Sequence, residues 1–468
     1  MQHSSLVKLC RTLTKPDFKK LRKVVRSPFF NQREDVILLF DYLEAHIDKD
    51  VARLDRVRVF QKTFPTNPNF DMQQLRYTSS FLLNIIRDWL AIEEMRADGS
   101  KSQVYLQKAL KKLGAEELRL RELPEALARH EADEKRDSVH FRQHFQLLFD
   151  EYDAELKQNR ANEHRLGPVI NALTVSHLAT LLSMGCTVRA AENFSGKNIE
   201  LPLLDAAIAE VEAGKFRDIP AVMGWFHTLR CLESSENEAD FLDLKQILLT
   251  AKNQFSTSEF GDLHLAAINF CIRRANQGRK DFLQEAFELY KSGFNSGALL
   301  AFGRLSKYTY KNAANLGIHL GQYDWVDGFL ADFKQFLPQN DRENLFSLSS
   351  AKASFQQKKY DQALLLLQEV ALAEEPLYNL DARRMLVRIF YEQASFDALD
   401  SQLDSYSAYL RRHKEIGYYR ENHLHFIGWI RRLVRADLRN GAVKSRLHEK
   451  LNREKSVLEK EWLLEQLR

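Results

Sequence analysis

The sequence predicts an all-α protein: a helical N-terminal domain followed by an α-solenoid of helix hairpins with a C-terminal capping helix. Three observations predict it. Glycine and proline are scarce, 18 and 10 in 468 residues, about half their usual share. Tightly turned sheets need both residues, whereas helix interiors exclude them. Apolar residues recur every three or four positions along most of the chain, behind residues that cap helices. In the second half one layout keeps returning, with turn markers Phe241, Leu283, Tyr323, Tyr360 and Phe396 spaced 42, 40, 37 and 36 residues apart.

Residues 1–98 read as the N-terminal domain. A first helix ends near Leu13. Thr14 and Asp17 have capping-box spacing, and Phe18, Leu21 and Val25 fall on one face of the helix behind them. Ser27-Pro28 ends that helix, because the residue before proline avoids helical dihedrals. Asn31 with Glu34 is expected to cap the next, whose Val36, Leu39, Phe40, Leu43 and Ile47 form a buried stripe. Pro65 and Pro68 bracket a loop, and Asp71 opens a long helix to about Ala97 with Leu75, Leu82, Ile86, Trp89 and Leu90 facing inward.

Residues 99–195 form a more charged helical connecting region. Gly114 and Pro124 are expected to separate short helices ahead of a longer one from Ser138 to Gln158. Its Phe141, Phe145, Leu148, Phe149 and Tyr152 repeat at helical spacing, which predicts packed core. No run is expected to reach the ~20 apolar residues of a membrane span, and the first residues lack an apolar signal core. Cys10, Cys186, Cys231 and Cys271 lie far apart without a C-x-x-C. Buried, reduced thiols in a cytoplasmic protein are the expectation.

Residues 196–410 carry the repeats. The clearest is SAKASFQQKKYDQALLLLQEV, residues 350–370, with Ala351 small in mid-helix, Tyr360 at the turn, and Ala363 and Leu367 facing inward. The layout occurs upstream as Ala314, Gly321-Gln322-Tyr323, Val326 and Leu330, and downstream as Val387, Phe396, Leu399 and Leu403. It resembles the tetratricopeptide repeat, in which a small residue lets two helices approach closely. The period exceeds the usual ~34 residues, so helices or loops are longer here. RSPFFNQREDVILLFDYL, KYTYKNAANLGIHLGQYDWV, YNLDARRMLVRIFYE and YLRRHKEI, in that order, resemble a family of uncharacterised helical-repeat proteins of Bacteroidetes-type bacteria. That resemblance implies the fold and a bacterial cytoplasmic setting, and brings no catalytic residues with it.

Residues 411–468 are expected to cap the stack. Asn440-Gly441 reads as a helix stop. The helix after it lines up Val443, Leu447, Leu451, Leu458 and Trp462 for packing on Phe426, Ile430 and Leu433. If its end stays partly exposed, Trp462, Leu463 and Leu467 form a docking helix, since tryptophan is frequent at interfaces.

Reaction chemistry is missing from the sequence. Neither G-x-x-x-x-G-K-[ST] nor G-x-G-x-x-G occurs. Gly293–Gly297 has one residue too many for a nucleophile elbow. His130-Glu131 and His448-Glu449 lack a second histidine at helical spacing, and His423 and His425 point to different faces of a helix. No enzyme, cofactor or metal site is therefore expected.

The leading expectation is an interaction scaffold, because stacked hairpins make a concave surface that holds a peptide or a helix. Placed by the turn markers, its groove residues are Arg273, Lys311, Asn315, His319, Lys352, Arg384 and Arg388. Lys311 and Asn315 stand four apart on one helical face and resemble the pair with which some tetratricopeptide domains hold a terminal carboxylate. Ion pairing with neighbours such as Asp381 is the plainer reading of the same cations. The alternative partner is RNA. Net charge is only +4, from 68 basic and 64 acidic residues, but Lys19, Lys20, Arg22, Lys23 and Arg26 cluster beside Phe29-Phe30. A second basic stretch runs from Arg411, Arg412 and Lys414 to Arg439.

Overall fold

The computed structural model describes residues 1–47, 51–158, 166–234, 236–300, 302–370, 376–413, 418–454 and 457–467. The described residues are all-helical: they form 23 α-helices and contain no strand. The chain divides into two compact units, one of residues 1–134 with 138–177 and one of residues 135–137 with 178–468.

The first unit begins with α1 (Ser5–Cys10), α2 (Lys15–Val25), α3 (Glu34–His46), α4 (Arg56–Thr63) and α5 (Met72–Ala97). Leu21, Val25, Leu39, Phe40, Val59, Phe60 and Ile86 make one core, with α5 packed against α1, α2 and α3. The Thr14–Asp17 capping box is formed in both directions. Asn31 does not cap α3. Arg33 holds that position without a side-chain bond, because the Asn31 Oδ1 already accepts from the Arg33 N–H at 3.0 Å while its NH2 donates to the carbonyls of Val25 and Arg33 at 2.9 and 3.0 Å. Asn31 thus fixes the turn between the helices.

Then come α6 (Gly99–Lys112), α7 (Glu116–Glu131) and α8 (Ser138–Gln158). Gly114 does separate α6 from α7, but Pro124 lies inside α7. Leu123, Ala126 and Leu127 around it are buried, so packing carries the helix through the lost hydrogen bond. The aromatic stripe of α8 is not core. Its buried residues are His140, Leu147, Asp150 and Ala154. Of the predicted stripe only Leu148 is a half-buried member of the core cluster around Leu147, while Phe141, Phe145 and Tyr152 are half-buried and Phe149 is 44% exposed. The reason is polar: α7 presents a fully buried Arg119, which donates to the Asp150 carbonyl at 3.3 Å and reaches its carboxylate at 3.7 Å. A buried guanidinium must face its partners, and that requirement rotates the aromatic side outward.

α9 (Leu166–Ser195) overturns one expectation. Over Leu166–Asn193 it is long and apolar enough to cross a membrane, and half of its apolar window is buried inside the protein. The boundary between the units falls within this helix.

The second unit continues with α10 (Leu204–Glu212), α11 (Pro220–Glu233), α12 (Glu238–Thr250), α13 (Thr257–Asn276), α14 (Asp281–Asn295), α15 (Lys307–His319) and α16 (Tyr323–Phe333). It ends with α17 (Arg342–Gln356), α18 (Tyr360–Val370), α19 (Pro376–Glu392), α20 (Phe396–Arg412), α21 (Tyr418–Arg435), α22 (Gly441–Arg453) and α23 (Lys460–Glu465). The five turn markers all lie in the first four residues of α12, α14, α16, α18 or α20. Each of these packs on the helix before it, and α11 touches α13, α15 touches α17, and α17 touches α19.

One turn recurs between the paired helices. Gly278, Gly321, Lys358 and Ala394 each stand two residues past a helix end with φ of 101°, 71°, 58° and 53°. The next N–H donates five residues back in every case: Arg279 to Arg274, Gln322 to Gly317, Lys359 to Ser354, Ser395 to Phe390, at 2.9–3.1 Å. This is the left-handed C-terminal cap that glycine favours. Ala351 and Ala363 are fully buried. At Gly317 a Cβ would come within 2.6 Å of the Val326 side chain, so the hairpin closes there without one.

The last helices enclose a core of Tyr406, Leu410, Phe426, Trp429, Ile430, Leu433 and Leu451. Asn440 starts a helix where a stop was expected. Its Oδ1 accepts from the N–H of Ala442 and Val443, and Gly441 is the first residue of α22. The stretch behind it is two helices, α22 and α23, instead of one.

Candidate functional site

Helix periodicity places the charged side chains of α15, α17 and α19. On α15, Ala313, Ala314 and Leu316 turn into the protein, which leaves Lys311, Asn315 and His319 on the other face, four residues apart each time. With Lys352 from α17 and Arg384 and Arg388 from α19, they line one cavity of about 510 Å³. Six of the seven expected groove residues are thus brought together.

Arg273 is not among them. It lies on α13, and its guanidinium donates to the Cys231 carbonyl at 2.6 Å. It therefore completes the C-terminal turn of α11, a usual place for a cation.

Two carboxylates organise the cations. Asp381 accepts from Lys311 and from Arg384, both at 2.9 Å. Glu459 accepts from Arg388 at 2.8 Å and stands in an ion pair with Arg384 at 3.1 Å. Burial raises the Asp381 carboxyl, but Arg384 and Lys311 outweigh burial and hold it below the usual carboxylate range. The Arg388 guanidinium lies 4.4 Å from the Phe355 ring centroid and 5.1 Å from that of Trp462, a double cation–π contact.

Lys352 differs from its neighbours. Its ammonium donates to Asn315 Oδ1 at 2.8 Å, and among the described residues no carboxylate lies within ion-pair distance of it. Burial depresses its pKa; Glu459 opposes this, while Arg384, Lys311 and Arg388 add to it. An ammonium has three donors, and two of them have no partner among the described residues.

Behind the site, His423 is buried against Tyr406, whose hydroxyl donates to the Leu380 carbonyl at 3.2 Å. Burial, with Arg384 adding to it, brings His423 down to about 4. The four cysteines are free and buried, and burial pushes Cys10 and Cys231 up to about 12.

The C-terminal residues sit elsewhere than an exposed docking end would. Trp462, Leu463 and Leu467 are 5%, 0% and 4% exposed, because they complete the core of α19 to α22. The Trp462 indole donates to Glu392 at 2.5 Å and lines the cavity. Reading the sequence missed Glu459, the acid that joins Arg384 to Arg388. It lies 71 residues from Arg388, in a segment whose apolar pattern signalled only core.

The N-terminal basic cluster is largely neutralised. Lys20 pairs with Glu93 at 2.5 Å, Arg22 with Glu44 at 2.6 Å and Arg26 with Asp41 at 2.8 Å. Lys19 and Lys23 are exposed, Phe29 is 88% exposed, and Phe30 packs on the core. In the second basic stretch Arg431 pairs with Asp404 at 2.6 Å and Arg432 stacks on Trp429, while Lys414 lies outside the described residues.

Compared with protein-family models, curated proteins and solved structures, the chain matches none.

Proposed function

We propose that this chain is a non-enzymatic cytoplasmic interaction scaffold, in which tetratricopeptide-like hairpins stack as a solenoid and grip an acidic segment of a partner protein over α15, α17 and α19. One observation carries the reading: Lys311, Lys352, Arg384 and Arg388, drawn from three helices, line a single cavity in which no carboxylate of the described residues lies within ion-pair distance of Lys352. Keeping an ammonium half-buried beside other cations costs stability. A carboxylate entering the cavity relieves that cost, and the spare Lys352 donors and Lys311 are placed to hold it.

The test uses wild-type protein and Lys311→Met/Lys352→Met to recover partners from nuclease-treated lysate. Replacing Lys352 removes a charge its surroundings disfavour, whereas replacing Lys311 gives up its ion pair with Asp381, which keeps Arg384. Unchanged helix content and melting of the double variant show that a lost partner is not a lost fold. Proteins recovered by the wild type and missing from the variant are the predicted result. The same proteins in both would remove the groove from the account. An RNA-binding role for Lys19, Lys23 and Phe29 predicts recovery that nuclease abolishes and salt weakens steeply.

A further inference from the structure

We infer that residues 457–467 are a resident ligand of this groove, holding the place of a partner helix that carries a carboxylate three residues before an indole and leucine. The inference rests on the groove being the partner site and names both the chemistry recognised there and its regulation.

Charge is the first argument. The cavity is lined by five cations, Lys311, Lys352, Lys358, Arg384 and Arg388, and by five acids, Asp381, Glu392, Glu459, Glu461 and Glu465. Three of the five acids belong to the C-terminal segment. Without it the same walls carry five cations and two acids, a surface complementary to an acidic helix.

Contact geometry is the second. Glu459 bridges Arg384 and Arg388, and Trp462 covers the Arg388 guanidinium while its N–H meets Glu392. Leu463 and Leu467 fill the core below. A charged anchor, an aromatic over a cation and apolar residues in a pocket are what a groove-binding helix supplies.

Backbone strain is the third. Glu459 has φ of 55° and immediately precedes α23, a helix of six residues. A non-glycine residue in the left-handed region is held there by its contacts, and releasing the segment releases that strain. The segment thus suits a competitor that a better-matched helix displaces.

The experiment compares full-length wild type with Glu459→Gln/Trp462→Leu, using a fluorescent, end-capped peptide of residues 457–467 as probe. The inference predicts binding to the variant at least tenfold tighter than to wild type, and loss of that gain when Lys352→Met and Arg388→Met are added. Equal affinity for both proteins, with helix content intact, would overturn it. Hydrogen exchange on unaltered wild type gives a second reading. Amides of 460–467 exchanging at least tenfold faster than those of α19 support release, whereas exchange only with global unfolding contradicts it. The two proposals fail separately. If only the resident-ligand idea is wrong, partner capture still depends on Lys311 and Lys352 but the double variant captures no more than wild type. If the groove itself is wrong, the lysine substitutions change nothing.

Discussion

His423 shows how closely the residues behind the groove are tuned. It stays neutral in the fold down to about pH 4, against an ordinary 6.5. Above pH 6.5 neither folded nor unfolded chain carries the proton, so the histidine leaves stability untouched. Between 6.5 and 4 the unfolded chain takes up a proton that the folded chain refuses, and stability falls as pH falls. The full loss is about 3 kcal/mol, and about 2 kcal/mol of it arrives by pH 5. His423→Gln keeps a polar group against Tyr406 and removes the titration. Urea unfolding at pH 7.5 and pH 5 should therefore show the wild type losing about 2 kcal/mol more than the variant. Parallel losses would mean that the imidazole is solvated in the native state.

The helix hairpins were the most legible part of the sequence, because their apolar periodicity and turn markers are local. Spacing alone predicts a small residue at a close helix approach for Ala351 and an inward face for Ala363, and both are buried. Pro124, Asn31 and Asn440 misled for one reason: each residue type has more than one use, and tertiary packing chooses among them. The α8 stripe misled because periodicity gives a face without saying what the facing helix offers, here the buried Arg119. The recurrent turn gives a test at this scale. A Cβ at Gly321 meets nothing within 4 Å, so Gly321→Ala acts through backbone conformation alone and should cost about 1 kcal/mol. Lys358→Gly, at the same place one hairpin later, should cost nothing or gain a few tenths. If both glycine-to-alanine and lysine-to-glycine changes leave the denaturation midpoint fixed, the two turns are not the equivalent left-handed caps described here.

At the scale of the molecule, the groove depended on information that no local pattern holds. Six of its residues were visible from register, since α15, α17 and α19 stand at matching places in successive hairpins. Glu459 and Trp462, which complete it, were not, because they reach Arg388 across about seventy residues of sequence. Partner entry into that cavity can be observed directly. A photoreactive p-benzoylphenylalanine at His319, which lines the cavity, is the most direct probe, with the same group at Leu365 on α18 as control. Leu365 is 68% exposed and does not line the cavity. Irradiation should capture a partner from His319 and not from Leu365, and Lys311→Met/Lys352→Met should abolish the capture. Capture from Leu365 alone, or capture from His319 that ignores both lysines, would contradict entry into the cavity.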